Sequence, residues 1–163
     1  EFRRVLFRSV QTDGAVKSVI INMMNSTFAN PGGTSASLLR VDKADNSISV
    51  IKNCTFYNLV DKDALVRGAK GSLTVENVLF AGNNTFQIFY DDKTLPASLN
   101  WSKVYRTSDL TVSKPGSTST TALSYSSSQL FPNASSSTDV LDLTFGADIP
   151  NEVKIIGDPR WNK

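Results

Sequence analysis

"NSTFAN" at Asn25–Asn30, "NCTFYN" at Asn53–Asn58 and "NVLFAGN" at Asn77–Asn83 are three wordings of one phrase. Each opens on Asn, carries Phe three residues later and closes on a second Asn, the third copy with a Gly added. Phe28 and Phe56 lie 28 residues apart, Phe56 and Phe80 lie 24 apart. Self-similarity at a period of roughly 20–50 residues is the mark of a stacked repeat architecture, and it outranks local propensity as a guide to fold.

Each phrase is followed by a polar turn and a second apolar run: "SLLRVDK" (Ser37–Lys43), "ALVRGAK" (Ala64–Lys70) and "QIFYDDK" (Gln87–Lys93). The repeat therefore holds at least two short strands. Within the first, period-two alternation puts Ser26, Cys54 and Val78 on one face with Phe28, Phe56 and Phe80. Thr27, Thr55, Ala29, Tyr57 and Ala81 point the other way. Val, Ile, Thr and Phe dominate, as strands prefer, and no segment carries a sustained helical stripe with caps.

These features predict an all-β chain wound as a right-handed parallel β-helix of about three to four coils. Coils stack at about 4.8 Å, so equivalent positions form columns. Phe then stacks on Phe inside, and Asn occupies a bend where it tolerates left-handed backbone angles and its amide reaches its copy one coil away. A β-sandwich also spaces its strands regularly; the columns favour the β-helix. "ISVIKN" is one residue longer than "LTVEN", which predicts a bulge.

Residues 1–9, "EFRRVLFRS", match nothing downstream and resemble adapter-derived sequence, so they are set aside. The chain is expected to be the C-terminal part of something longer. Residues 10–112 make the coils, "NWSKVYRTSDLTV" (Asn100–Val112) serving as one more irregular rung. Residues 113–163 form a Ser/Thr-rich excursion followed by two short strands, "VLDLTF" and "EVKII", which are expected to cap the open end of the solenoid.

Composition sets limits on function. With 163 residues, 40% of them apolar and 20% charged, the chain suits one ordinary globular domain. A net charge of +2 argues against a dedicated nucleic-acid binder. The absence of His removes the commonest general base and metal ligand. The single cysteine, Cys54, excludes an intrachain disulfide, and no apolar run is long enough to be a transmembrane segment.

The rungs "IKNCTFYN" and "VENVLFAGN", with "SSSQLF" (Ser126–Phe131) and the closing "IIGDPRW" (Ile155–Trp161), resemble a family of secreted pectate-lyase-like β-helix proteins of unknown function. These belong to bacterial polysaccharide-utilisation systems and are often cell-surface lipoproteins. The resemblance runs from about Ser18 to the end of the chain, and "GDPRW" is its most specific part. It implies an extracellular or cell-surface setting and a carbohydrate partner, and it supplies no catalytic residues.

A column of side chains in the second strand is the candidate site. Arg40 and Lys43, Arg67 and Lys70, and Tyr90 and Lys93 occupy equivalent places, forming a basic ridge. Stacked like charges repel. Either Asp42, Asp45, Asp61, Asp63, Asp91 and Asp92 neutralise them, or an acidic ligand does, a uronate polysaccharide suiting the arginine fork. The same Asp set could hold Ca²⁺, without a cluster dense enough to name ligands. A lyase acting by Ca²⁺-assisted β-elimination would recruit Asp61, Asp63, Arg67 and Lys70. Glycoside hydrolysis would need a carboxylate pair, and Glu1, Glu76 and Glu152 are the only glutamates.

Tyr57, Tyr90, Trp101 and Tyr105 offer flat faces for sugar rings, whereas Trp161 is expected to seal a core. Cys54 is expected to be a small buried hydrophobe. Sequons fall at Asn25, Asn53, Asn83, Asn100 and Asn133; the first two coincide with the Asn column, which leaves no room for a glycan. The expected function is a non-catalytic carbohydrate-binding or surface-display module for acidic, pectin-like polysaccharide. The alternatives are a lyase fragment and a structural spacer.

Overall fold

Coordinates come from a computed structural model, which describes residues 10–11, 15–29, 37–59, 64–68, 70–90, 95–115, 118–134 and 141–162. Its strands pair as the columns require. One sheet runs β1 (Val10–Gln11), β3 (Ser37–Arg40), β5 (Ala64–Arg67), β7 (Thr85–Phe89) and β9 (Thr111–Ser113) in spatial order. The other runs β2 (Val16–Ala29), β4 (Ala44–Tyr57), β6 (Ser72–Ala81), β8 (Ser98–Arg106) and β10 (Thr121–Ala122). Every pairing is parallel, and each strand crosses to the opposite sheet before the next coil begins. The chain is a parallel β-solenoid, and the β-sandwich alternative, built on antiparallel sheets, is excluded.

The register places Phe28 on Phe56 and Phe56 on Phe80. Their ring centroids are 5.1 Å apart at both steps, with interplanar angles of 15° and 22°. Phe86 of β7 adds a fourth ring, tilted, 5.1 Å from Phe80. The spacing is that of neighbouring strands, so the column costs the backbone nothing and hides large apolar surfaces at the centre of the coil. Beside it, Met23, Ile51, Val75 and Trp101 form a second inward column.

The Asn column makes the bend. Asn25, Asn53 and Asn77 all have φ near +50°, interrupting β2, β4 and β6 so that each turns a corner. Asn53 Nδ2 donates to Asn25 Oδ1 at 2.9 Å, and Asn77 Nδ2 donates to Asn53 Oδ1 at 3.0 Å. Asparagine serves here because its short amide tolerates the left-handed region and carries both a donor and an acceptor for its copies. On the next coil Lys103 takes the position with φ 51°, and the amide ladder ends.

Several expectations need correcting. No bulge separates "ISVIKN" from "LTVEN": Ile48 through Lys52 pair one-to-one with Ser72 through Glu76. The difference in repeat length falls outside these paired strands. Asn100–Val112 is a regular coil, β8 pairing with β6 from Ser98 to Arg106. The described part of "VLDLTF" and "EVKII" are not strands: residues 141–146 have no regular structure, and Asn151–Lys154 is a helical turn, α2. A similar turn at Ser127–Leu130, α1, is closed by a capping box between Ser126 and Gln129.

The C-terminal segment also lies elsewhere than expected. Its first part extends the stack, β10 pairing with β8, and the rest runs back along the side. Leu143, Phe145, Ile149, Val153, Ile156 and Trp161 pack with Leu79, Ala81, Tyr57 and Tyr105, which are outward-facing residues of the coils. The outer alternation of "NCTF" is therefore as buried as the inner one: Thr55 and Leu79 have essentially no exposure. The strap is fastened at "GDPRW". Gly157 adopts φ +83° where a Cβ would sit 2.4 Å from Thr55 Oγ1. The backbone N–H of Asp158 donates to Thr55 Oγ1 at 3.0 Å, and Thr27 Oγ1 donates to Asp158 Oδ2 at 2.6 Å. Trp161 Nε1 donates to Thr27 Oγ1 at 2.7 Å.

Candidate functional site

The corner between the two sheets carries the ridge. Arg40 and Arg67 are direct register partners at the ends of β3 and β5, and Tyr90 follows β7 one step up, its N–H donating to Val66 O. Gly68 lets successive turns approach: a Cβ there would lie 2.4 Å from Asp42 Cα.

The stacked cations are compensated locally. Arg40 Nε lies 3.1 Å from Asp42 Oδ1, and Arg67 Nε lies 3.4 Å from Asp42 Oδ2. Burial raises the Asp42 carboxyl, but its bond to Arg40 and the charges of Arg40, Arg67 and Lys43 outweigh that and hold it below its usual value. Arg67 also stacks on Tyr90, its guanidinium carbon 4.3 Å from the ring centroid. Lys114 approaches the same ring, its Nζ 6.0 Å from the centroid and 3.2 Å from Tyr90 O. One carboxylate and one π-face therefore separate Arg40, Arg67 and Lys114.

Lys43 and Lys70 are exposed in the turns at this corner, and Lys93, Asp61, Asp63, Asp91 and Asp92 lie outside the described residues. Lys114 is the member that sequence reading missed. It lies just past β9 and reaches Tyr90 from the next coil, out of step with the β7–β9 register, so the column alone did not point to it.

Of the four aromatic faces, Tyr90 alone presents a large exposed ring, with 38% of its surface free. Tyr57 packs edge-on against Phe131 at 6.0 Å, Tyr105 lies under the strap, and Trp101 belongs to the interior and donates to Ser119 O. Trp161 is buried, sealing the strap as expected.

Among the described residues no three His, Cys, Asp or Glu side chains converge as a metal site. Glu76 pairs with Lys52 across β4 and β6 at 2.7 Å. Among the described residues no helix is long and apolar enough to cross a membrane.

Cys54 is fully buried in the column with Ser26 and Val78. Its burial pushes the thiol up to about 11. The native thiol is expected to resist alkylation at about pH 8, since the thiolate is the reactive form. It should react at the rate of a free thiol once the protein is unfolded in urea. Mass-spectrometric detection of rapid native labelling would contradict this placement.

No protein-family model, curated protein or solved structure matches the chain. The solenoid thus rests on strand pairing and register alone.

Proposed function

We propose that this protein is a non-catalytic β-solenoid that binds an acidic polysaccharide at the corner ridge, outside the cell or at its surface. The observation that carries the reading is the Arg40–Arg67–Tyr90 column: two guanidinium groups on successive coils beside one part-exposed aromatic ring, on which Arg67 stacks. Among the described residues of the corner, Asp42 and Asp45 are fewer than the cations Arg40, Arg67, Lys43, Lys70 and Lys114. The surplus suits carboxylates repeated along a chain, and Tyr90 suits a sugar ring. The pectate-lyase-like resemblance of the sequence supports the same partner class.

Arg67, the described residue best placed to act as a lyase base, is already engaged by Asp42 and Tyr90, which favours a positioning and binding role over proton abstraction. Affinity electrophoresis through polygalacturonate should retard the protein, and a neutral galactan should not. The double change Arg67→Ala with Lys70→Ala should weaken retention about tenfold or more, as expected for losing charge-assisted contacts. Equal retention by the variant, or by the neutral gel, would reduce the ridge to surface charge and leave the spacer reading. Release of unsaturated, ultraviolet-absorbing products would establish the lyase instead.

A further inference from the structure

The phenylalanine column ends on an arginine. Arg106 is the register partner of Phe80, so on the fourth coil a guanidinium occupies the place that three rings hold below it. It is only partly exposed, and its protein partners are two carbonyls: Nη1 donates to Leu110 O at 2.7 Å and to Thr107 O at 3.4 Å. The other described arginines each have a carboxylate, Asp42 for Arg40 and Arg67 and Asp158 for Arg160. Asp109, the nearest acid in sequence, is turned to Ser127, accepting from both its backbone N–H and its hydroxyl. Burial raises the Asp109 carboxyl, but the bonds from Ser127 and the Thr107 side chain more than offset it and hold it below its usual value.

Arg106 opens into a depression of about 470 Å³ at the end of the stack. Hydroxyl-bearing residues surround it, Ser108, Thr111, Ser119 and Thr120, with Leu110 and Val112 as apolar lining. Among the described residues no carboxylate meets this guanidinium, which leaves room for an anion to complete it. Its Nε and Nη2 edges have no protein acceptor among the described residues, and a carboxylate matches that fork. The hydroxyls suit a polyhydroxylated skeleton, and the apolar lining suits its C–H face.

We propose that this open depression is a binding site for a single sugar acid, a monosaccharide carrying one carboxylate, with Arg106 as the carboxylate-binding residue. None of the ridge side chains lines this site, and its lining residue Pro115 follows Lys114 of the ridge in sequence.

The test is ¹⁵N-resolved NMR titration of the full chain with D-galacturonate, D-galactose and acetate as probes. Galacturonate should shift the Arg106 Nε–H signal and the amides of Ser108, Thr111 and Thr120. Galactose and acetate, each carrying half of the recognised chemistry, should bind at least about tenfold more weakly. Arg106→Gln should abolish the galacturonate shifts, and Arg106→Lys, which keeps the charge and a donor for Leu110 O, should weaken binding about tenfold by removing the fork. Shifts confined to Arg67 and Tyr90 would assign the sugar acid to the ridge and overturn the proposal. So would the absence of shifts in the native protein, or equal response to galactose. Because the native titration decides these outcomes, failure of either variant to fold leaves the test intact.

Discussion

Phe56→Ala is expected to cost about 3–5 kcal/mol of folding stability, the range for truncating a fully buried aromatic. Phe56 is the middle ring of the column, with no exposure and with Phe28 and Phe80 each at 5.1 Å. Its removal opens a void that neither neighbour can fill, because each ring is fixed by its own strand at the spacing of the sheet. Phe28→Ala should cost less, since Phe28 retains slight exposure and lies on the first long strand. Urea denaturation of both variants checks the ordering. A loss below about 1 kcal/mol for Phe56→Ala would mean that the rings do not form a packed stack.

Asp158→Ala carries the second large effect. The carboxylate has no exposure, and it accepts from Thr27 Oγ1, from the Arg160 backbone N–H and from the Arg160 guanidinium. Its removal strips the acceptor from Thr27 and frees the Arg160 charge, at a cost of about 2–4 kcal/mol. The upper end of the range for buried pairs is not reached because the Arg160 side chain is 55% exposed and finds water. Arg160→Ala should cost distinctly more than a surface change, since it leaves the buried carboxylate with Thr27 as its main side-chain donor. Trp161 emission should shift to the red in Asp158→Ala as the strap loosens. Unchanged emission together with an unchanged melting temperature would show that the strap is held by its apolar residues alone.

The coils were legible because their periodicity is repeated. Phe28, Phe56 and Phe80, with the Asn before each, constrain one another, and a parallel stack is the arrangement in which identical residues meet at one spacing. The basic ridge followed from the same logic, and the neutralising role of Asp42 was one of two outcomes that repulsion allowed. The strap was not legible. Its residues occur once, and their partners are found 131 and 134 residues away, at Thr27 for Asp158 and Trp161. A single pass of period two cannot tell an outer face wet by solvent from one covered by a distant segment, so Thr27 and Thr55 read only as outward-facing. "VLDLTF" alternates like a strand and its described part is none, because the side of the solenoid gives it apolar contacts without a free edge to pair with. Arg106 was hidden for a related reason: a rung that breaks the Phe rule looks like a weak repeat until register shows where the break falls.

The strap changes the order in which the molecule can become complete. A chain emerging from the ribosome can wind its first coils early, since each needs only the one before it. Yet the outward faces of Thr27, Thr55 and Leu79 stay wet until residues 155–161 arrive from the far end. Until then the nascent solenoid shows an unfinished flank to its surroundings. Residues 155–161, made after the coils they cover, thus decide when that flank is no longer adhesive.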